Sequence, residues 1–352
     1  MNVALRTVVR RLGVVSQSQG SRHAAPLHSR SSVRAFASSS SSFGMTPLDK
    51  FLFDTNGYVV LPQVFTKDEI NSANAAIQAN SNKMLERIGG LRNTEDDTPL
   101  VGDGTTGRQD LSGFLGWPEG QRDVFRRVLD HPRLVPYVTE LLGMGYRLDH
   151  MPLILIQRPG SEGFQFHGGP LDGDGRPNQY LSYKCHNGTM QLSLLAVAVQ
   201  LTDVNEGEGG FCIIKGSHKS NFPCPKSVVN YEEAKEHAYQ PVTRAGDVVL
   251  FSEATIHGTL PWSGKSDRRL ALFRFSPANY AYGRGYTGGW PDSWLDGMTD
   301  TQRLIMEPPY NHRLDRKSLK MSEDGKAVSV ETGSRADFKK EFDEAVFGRT
   351  YF

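Results

Sequence analysis

The chain has 352 residues, 38% hydrophobic and 22% charged, and its 40 Lys and Arg nearly cancel 39 Asp and Glu to leave a net charge of +1. That length can bury a sizeable core as one large domain or one domain with embellishments, and without a long Lys/Arg run nothing calls for a nucleic-acid partner. No apolar stretch reaches the roughly 18 residues of a membrane span, and the three cysteines, Cys185, Cys212 and Cys224, lack CxxC spacing, so they read as reduced or buried thiols.

The first 48 residues scatter Arg6, Arg10, Arg11, Arg22, Arg30 and Arg34 among serines, and the first acid is Asp49. This is the composition of a transit peptide. Met1 to Val15 can wind into a basic amphipathic helix, and Arg34-Ala35-Phe36-Ala37-Ser38 resembles a mitochondrial processing site cut after Phe36. The expectation is a leader over 1–36, a serine-rich linker over 37–48 and one domain over 49–352, addressed to the mitochondrial matrix. A plastid address is the weaker alternative, and a disordered tail without an address is the bland one.

Phe53 to Pro62 reads as a helix end, a turn at Asn56-Gly57 and a short apolar strand. Thr66-Lys-Asp-Glu69 is a capping box, and Ile70, Ala73, Ile77, Met84 and Ile88 predict a helix to about Ile88 whose stripe is core. Residues 89–120 are rich in Gly, Asp and Thr without a period, while Arg122 to Leu142 is helical with interruptions at Pro132 and Pro136. From Tyr146 to Pro277 the texture becomes short apolar runs between Gly, Pro and Asn: Pro152–Gln157, Phe164–His167, Met190–Thr202, Phe211–Ile214, Asp247–Phe251 and Leu270–Ser276. That pattern predicts a mainly β fold with flanking helices, a sandwich or jelly roll. A charged helical stretch near Arg335 to Val346 closes the chain.

Three local signals fall in order within the β region. They are Phe166-His167-Gly168-Gly169, then Gly209-Gly210-Phe211-Cys212-Ile213-Ile214-Lys215-Gly216-Ser217-His218, then Gly246 to Phe251 followed by Ile256-His257-Gly258 and Arg268-Arg269. A lone His at a strand end is usually a hydrogen-bonded surface or core residue. In this order, behind a Gly-Tyr-Val-Val-Leu-Pro opening, they resemble the phytanoyl-CoA dioxygenase-like branch of the Fe(II)/2-oxoglutarate oxygenases over about residues 50 to 280.

The resemblance implies a double-stranded β-helix (cupin-like jelly roll) with its β core at about 146–277, binding Fe(II) through His167 and His257. It also implies 2-oxoglutarate as co-substrate, O2, and a small organic or acyl substrate. Such a metal needs nitrogen and oxygen ligands on one side and open positions on the other. Arg268, eleven residues after His257, would grip the far carboxylate of 2-oxoglutarate, because a guanidinium offers a charge-assisted fork. Arg269 is the alternative, since neighbouring strand side chains face opposite ways. Arg274 is a third choice that reads rather as a surface charge, and His218 reads as a support of the fold or of the site's surroundings. Gln157 reads as a cofactor-binding residue, and Gln157, Phe166, Tyr183 and Trp262 as candidate pocket walls.

Two residues after His167 the family has Asp or Glu, and here stands Gly169. A carboxylate could come from elsewhere: Asp172 is the expected one, with Asp174 beside it and Glu208 or Glu253 on neighbouring strands. The position could instead stay open for water or a halide, as in iron halogenases, or two His plus water could suffice. A chain without catalytic iron would be a jelly-roll binding module. The leading expectation is a hydroxylase-type oxygenase releasing succinate and CO2, with loops 89–120 and 279–312 as walls; no basic cluster plainly claims a CoA phosphate.

Overall fold

The computed structural model describes residues 44–93, 98–283, 289–309, 317–331 and 337–348. The expected leader, 1–36, and the linker up to 43 lie outside the described residues. Regular structure starts before the expected boundary at 49, because Thr46 and Asp49 form a capping box on the helix Pro47–Asn56. This helix ends as predicted at Gly57, in the left-handed conformation with φ +80°. The Gly57 carbonyl accepts from the Ser252 N–H at 3.0 Å, and a Cβ on Gly57 would fall 2.2 Å from Thr255 Oγ1.

The second capping box, Thr66 with Glu69, opens the helix Lys67–Ala79. It stops well short of Ile88. Asn80 Nδ2 turns back to donate to the Ala76 carbonyl at 2.9 Å, and the chain passes through a 3-10 turn at Ser81–Lys83 into an edge strand, Leu85–Glu86. Ser and Asn side chains compete with helix backbone in this way. The Arg122–Leu142 pattern breaks around Pro132 as predicted, into Asp123–Arg126 and Val135–Leu142, but Pro136 does not interrupt it: it sits in the first turn of the second helix, where its missing N–H is not needed.

Two antiparallel sheets form the jelly roll. The larger runs, in spatial order, Tyr58–Leu61, Val248–Ser252, Leu195–Gln200, Arg268–Ser276, Leu153–Gln157, Gln109–Ser112 and Leu85–Glu86, with Arg147–Leu148 pairing on Arg268–Ser276. The smaller runs Ala238–Tyr239, Gly210–Ile214, His257–Leu260 and Phe164–His167. Strand alternation sorts the larger sheet's side chains. Leu155, Ala198, Phe251, Leu270 and Leu272 share one apolar cluster with Ile213 of the smaller sheet, while Ile154, Val197, Leu250, Ala271 and Phe273 pack with Phe53, Ile70, Ile77 and Leu141 of the helices. Phe273 is fully buried, and its loss to Ala would cost about 3–5 kcal/mol.

The expected run Met190–Thr202 is two strands. Thr189–Leu192 forms a hairpin with Tyr183–His186, and Leu195–Gln200 enters the large sheet. Between them Ser193 Oγ accepts the Ser182 N–H at 2.8 Å and donates to the Tyr180 carbonyl at 2.7 Å. The last helix, Asp337–Phe347, lies near the predicted stretch. The cysteines are free thiols, and no helix among the described residues is long and apolar enough to cross a membrane.

Candidate active site

His167 and His257 face each other on paired strands of the smaller sheet. Their ring centroids are 4.2 Å apart. Each Nδ1 meets the carbonyl two residues earlier, Gln165 at 3.0 Å and Thr255 at 2.7 Å. This contact places the proton on Nδ1 and leaves Nε2 with a free lone pair, the arrangement found in metal-ligating histidines. His257 is buried, and burial together with the neighbouring His167 pushes it down to about 3. Loss of solvation lowers His167 as well, although this residue remains exposed.

Glu253, four residues before His257, is the acid that accompanies them. Its Oε2 lies 3.7 Å from His257 Nε2, and its Oε1 accepts from Arg274 Nε at 2.5 Å. Burial pushes the carboxyl up, but the Arg274 guanidinium and the His257 ring outweigh it and hold Glu253 at about 2. It is a buried carboxylate at any neutral pH. Among the described residues no three His, Cys, Asp or Glu side chains form a ready-made metal cage; Glu253 stands beside the two imidazoles, clasped by Arg274.

The glycines after His167 explain the approach of these segments. Gly168 has φ +88°, and a Cβ there would lie 2.6 Å from the Glu253 carbonyl and 2.7 Å from that of Thr255. Only glycine lets the strand end lie on that loop. Gly169 has φ +95°, and its Cβ would point at Ile256 Cγ1, 3.3 Å away, in the apolar cluster of Phe166, Cys212 and Ile256. Position 169 therefore faces away from the histidines.

Between the sheets lies a cavity of about 210 Å³, walled by Leu153, Leu155, Phe211, Phe251, Leu270 and Leu272, with both histidines and four arginines, Arg87, Arg108, Arg268 and Arg274. Arg268 is buried and donates to Gln157 Oε1 at 2.8 Å. Gln157 is itself oriented by donating to the Glu162 carbonyl at 3.1 Å. Arg268 Nε is buried with no partner. Burial, then Arg108, pulls its pKa down to about 10, which leaves it charged at neutral pH. A buried guanidinium without a carboxylate is costly and is stabilised by a bound anion. A larger hollow of about 830 Å³, lined by Glu140, Lys184, Lys320 and Glu331, contains neither histidine.

The remaining expected residues are not brought to the cavity. Asp172 is exposed, and its Oδ1 accepts the N–H groups of Asp174 at 3.0 Å and Arg176 at 2.8 Å, so it caps its own turn. Arg269 points to the opposite side of the sheet, to Asp267 at 3.1 Å and Asn74 at 3.4 Å. Gln157 positions Arg268 and is not itself a wall; Phe166 lies in the outer cluster, Tyr183 donates to Asp54, and Trp262 Nε1 donates to the Ser266 carbonyl at 2.7 Å. His218 supports the fold through the Asp54 carbonyl at 2.9 Å. Arg87 and Arg108 were not expected here, and Arg274, the third choice for the clamp, reads from the sequence rather as a surface charge. For Arg274 a signal existed: it is six residues after Arg268 on one strand, an even spacing that puts both on one face.

Solved structures of HygX from Streptomyces hygroscopicus resemble this chain. The iron-bound form is 25% identical with a TM-score of 0.53, over 68% of this chain and 89% of HygX. The form with nickel and 2-oxoglutarate is 23% identical with a TM-score of 0.54 over the same shares, and that with nickel, 2-oxoglutarate and hygromycin B is 24% identical at 0.53, over 67% and 89%. No curated protein sequence matches the chain. The sequence signature described as phytanoyl-CoA dioxygenase matches residues 53–270, well over half of the chain and inclusive of both histidines, Glu253 and Arg268. The chain belongs to the phytanoyl-CoA dioxygenase family, on a jelly roll of the kind used by iron- and 2-oxoglutarate-dependent enzymes.

Proposed function

We propose that this protein is an Fe(II)- and 2-oxoglutarate-dependent oxygenase of hydroxylase type whose iron is held by His167, His257 and Glu253, converting a small organic substrate, 2-oxoglutarate and O2 into the hydroxylated substrate, succinate and CO2. The observation that carries the reading is Glu253 Oε2 at 3.7 Å from His257 Nε2. Two neutral imidazoles and one carboxylate are the donor set of non-haem iron sites that leave positions open for co-substrate and O2. The iron, when bound, supplies the activation of O2 that no side chain provides.

The protein's own groups do the rest. The carbonyls of Gln165 and Thr255 hold both Nε2 atoms in place. Arg274 fixes one oxygen of Glu253 and leaves the other toward His257. Arg268, braced by Gln157, offers its unpartnered Nε–H to the far carboxylate of 2-oxoglutarate. The Leu and Phe walls shield the deep, His257 side of the centre from bulk water, while the His167 side stays open. A halide site at residue 169 has no support, because that position faces Ile256.

Anaerobic addition of Fe(II) and then 2-oxoglutarate tests this. The wild type should give a metal-to-ligand charge-transfer band, His257→Ala none, and Glu253→Ala iron binding weaker by about tenfold or more. A wild type without the band overturns the oxygenase reading, and unchanged iron affinity in Glu253→Ala removes Glu253 as ligand. The arginine-rich, acid-free start supports a mitochondrial address. A fluorescent protein carrying residues 1–48 should collect in the matrix with Ala37 as its new N-terminus; diffuse fluorescence contradicts it.

A further inference from the structure

We propose that the cavity holds two anions, and that the second belongs to the substrate: a compact carboxylic acid whose carboxylate docks on Arg87 and Arg108 at the mouth, apart from Arg268. The identity of the first anion rests on the 2-oxoglutarate reading above.

Charge counting shows the need. Four guanidiniums line the cavity. Arg274 has Glu253, and Arg268 has no carboxylate. Asp110 alone serves the other two, Arg87 Nε at 2.9 Å and Arg108 Nε at 2.8 Å. One positive charge is thus left over at each end. The orphaned donors agree, since Arg87 Nη1 and Arg268 Nε are both buried without a partner.

The two ends are separate. Gln109 pairs with Ile156, and Ile156 with Arg269, so Arg108, Gln157 and Arg268 stand side by side on three neighbouring strands. Gln157 fills the middle, its amide committed to Arg268 and to the Glu162 carbonyl. Arg268 and His257 are buried, whereas Arg87 is half-buried and His167 is open to water, so the Arg87 end is the entrance. A small co-substrate can occupy the deep end and leave the mouth free.

The mouth also lies within reach of the metal side. The Arg87 guanidinium sits 4.8 Å from the Phe164 ring centroid and that of Arg108 5.9 Å. Phe164 in turn meets His167 edge-on at 5.5 Å between centroids. An acid held by Arg87 and Arg108 would therefore stand about one aromatic ring from the first histidine, with its carbon skeleton along Leu153 and Leu155. The cavity's 210 Å³ is below the roughly 300–1,000 Å³ of sites for drug-sized ligands, which favours a short skeleton over a long acyl chain.

Calorimetry with propionate, isovalerate and phenylacetate, each against its amide, tests the proposal on both metal-free protein and protein loaded with Mn(II) and 2-oxoglutarate. At least one acid should bind about tenfold more tightly than its amide in both states. Arg87→Gln should erase that preference while 2-oxoglutarate affinity stays within about twofold, Arg87→Lys should keep part of it, and Arg268→Gln should weaken 2-oxoglutarate alone. Circular dichroism confirms that each variant is folded. The proposal is overturned by equal binding of acid and amide throughout the series, by one-for-one competition between acid and 2-oxoglutarate, or by Arg87→Gln weakening 2-oxoglutarate as Arg268→Gln does. An Arg87-dependent preference in metal-free protein, with no Mn(II) or 2-oxoglutarate binding, would uphold the anion site and sink the iron reading alone.

Discussion

Consider Gly169→Asp, which restores the acid that the wider family carries two residues after the first histidine. With φ +95° at this position, an L-residue costs about 1–2 kcal/mol. The new Cβ would lie 3.3 Å from Ile256 Cγ1, and a carboxylate placed among Phe166, Cys212 and Ile256 without a donor would add about 1–3 kcal/mol. The sum, about 2–5 kcal/mol, is a large part of a typical stability of about 5–15 kcal/mol. The variant should fold, unfold at clearly lower urea, and bind Fe(II) no more tightly than the wild type. Urea titration of metal-free protein followed by metal titration of the folded fraction measures both. The reasoning fails if Gly169→Asp tightens metal binding, or if it rescues binding in a Glu253→Gln background. Either result would mean that the chain after His167 turns toward the histidines and that Glu253 is not their acid.

Glu253→Gln should destabilise the metal-free protein by about 3 kcal/mol, because it strands the Arg274 guanidinium beside two imidazoles; an unchanged urea midpoint would mean that the pair contributes nothing. Asp172→Ala should change stability by less than about 1 kcal/mol and leave metal affinity alone, since it removes only an exposed turn cap; a loss of iron would return Asp172 to the site. Burial pushes His131 and His218 down to about 4 each, whereas the unfolded chain takes up these protons near pH 6.5. Their contribution is therefore intact above pH 6.5 and lost as pH falls toward 4, on the order of 2 kcal/mol each at pH 5. Urea curves at pH 7.5, 6 and 5 read this directly, and His218→Gln should flatten the slope; an equally steep slope in that variant would clear His218.

The parts of the site that the sequence revealed are those encoded locally. The capping box at Thr66 and the Asn56-Gly57 turn act within a few residues, and the two histidines sit in recognisable strand ends, whereas the Thr46 box was found only in the structure. The sequence offered Glu253 only as an alternative behind Asp172, because distance along the chain is a poor guide to distance in a sheet. Asp172 is five residues from His167 yet spends its carboxylate on its own turn, while Glu253, 86 residues away, arrives because His167 pairs opposite His257. Gln109–Ser112 was hidden for another reason. It is a strand near the sheet edge whose identity is set by pairing with Leu153–Gln157 and not by its own Gly- and Asp-rich surroundings. Arg108 and Asp110 were hidden with it.

If His257 and Glu253 hold iron as proposed, the Gly57 turn bears on when that site can form. Its carbonyl holds the Ser252 N–H, and its bare Cα packs against Thr255, whose own carbonyl anchors the His257 ring. The segment that presents Glu253 and His257 is thus fastened to a turn made nearly two hundred residues earlier. Contacts of such long sequence separation close late in folding. A chain still emerging from the ribosome, or cut short before about residue 260, would carry His167 and the first helices yet have no affinity for metal. Metal uptake would then report completion of the fold, so iron would reach only finished molecules.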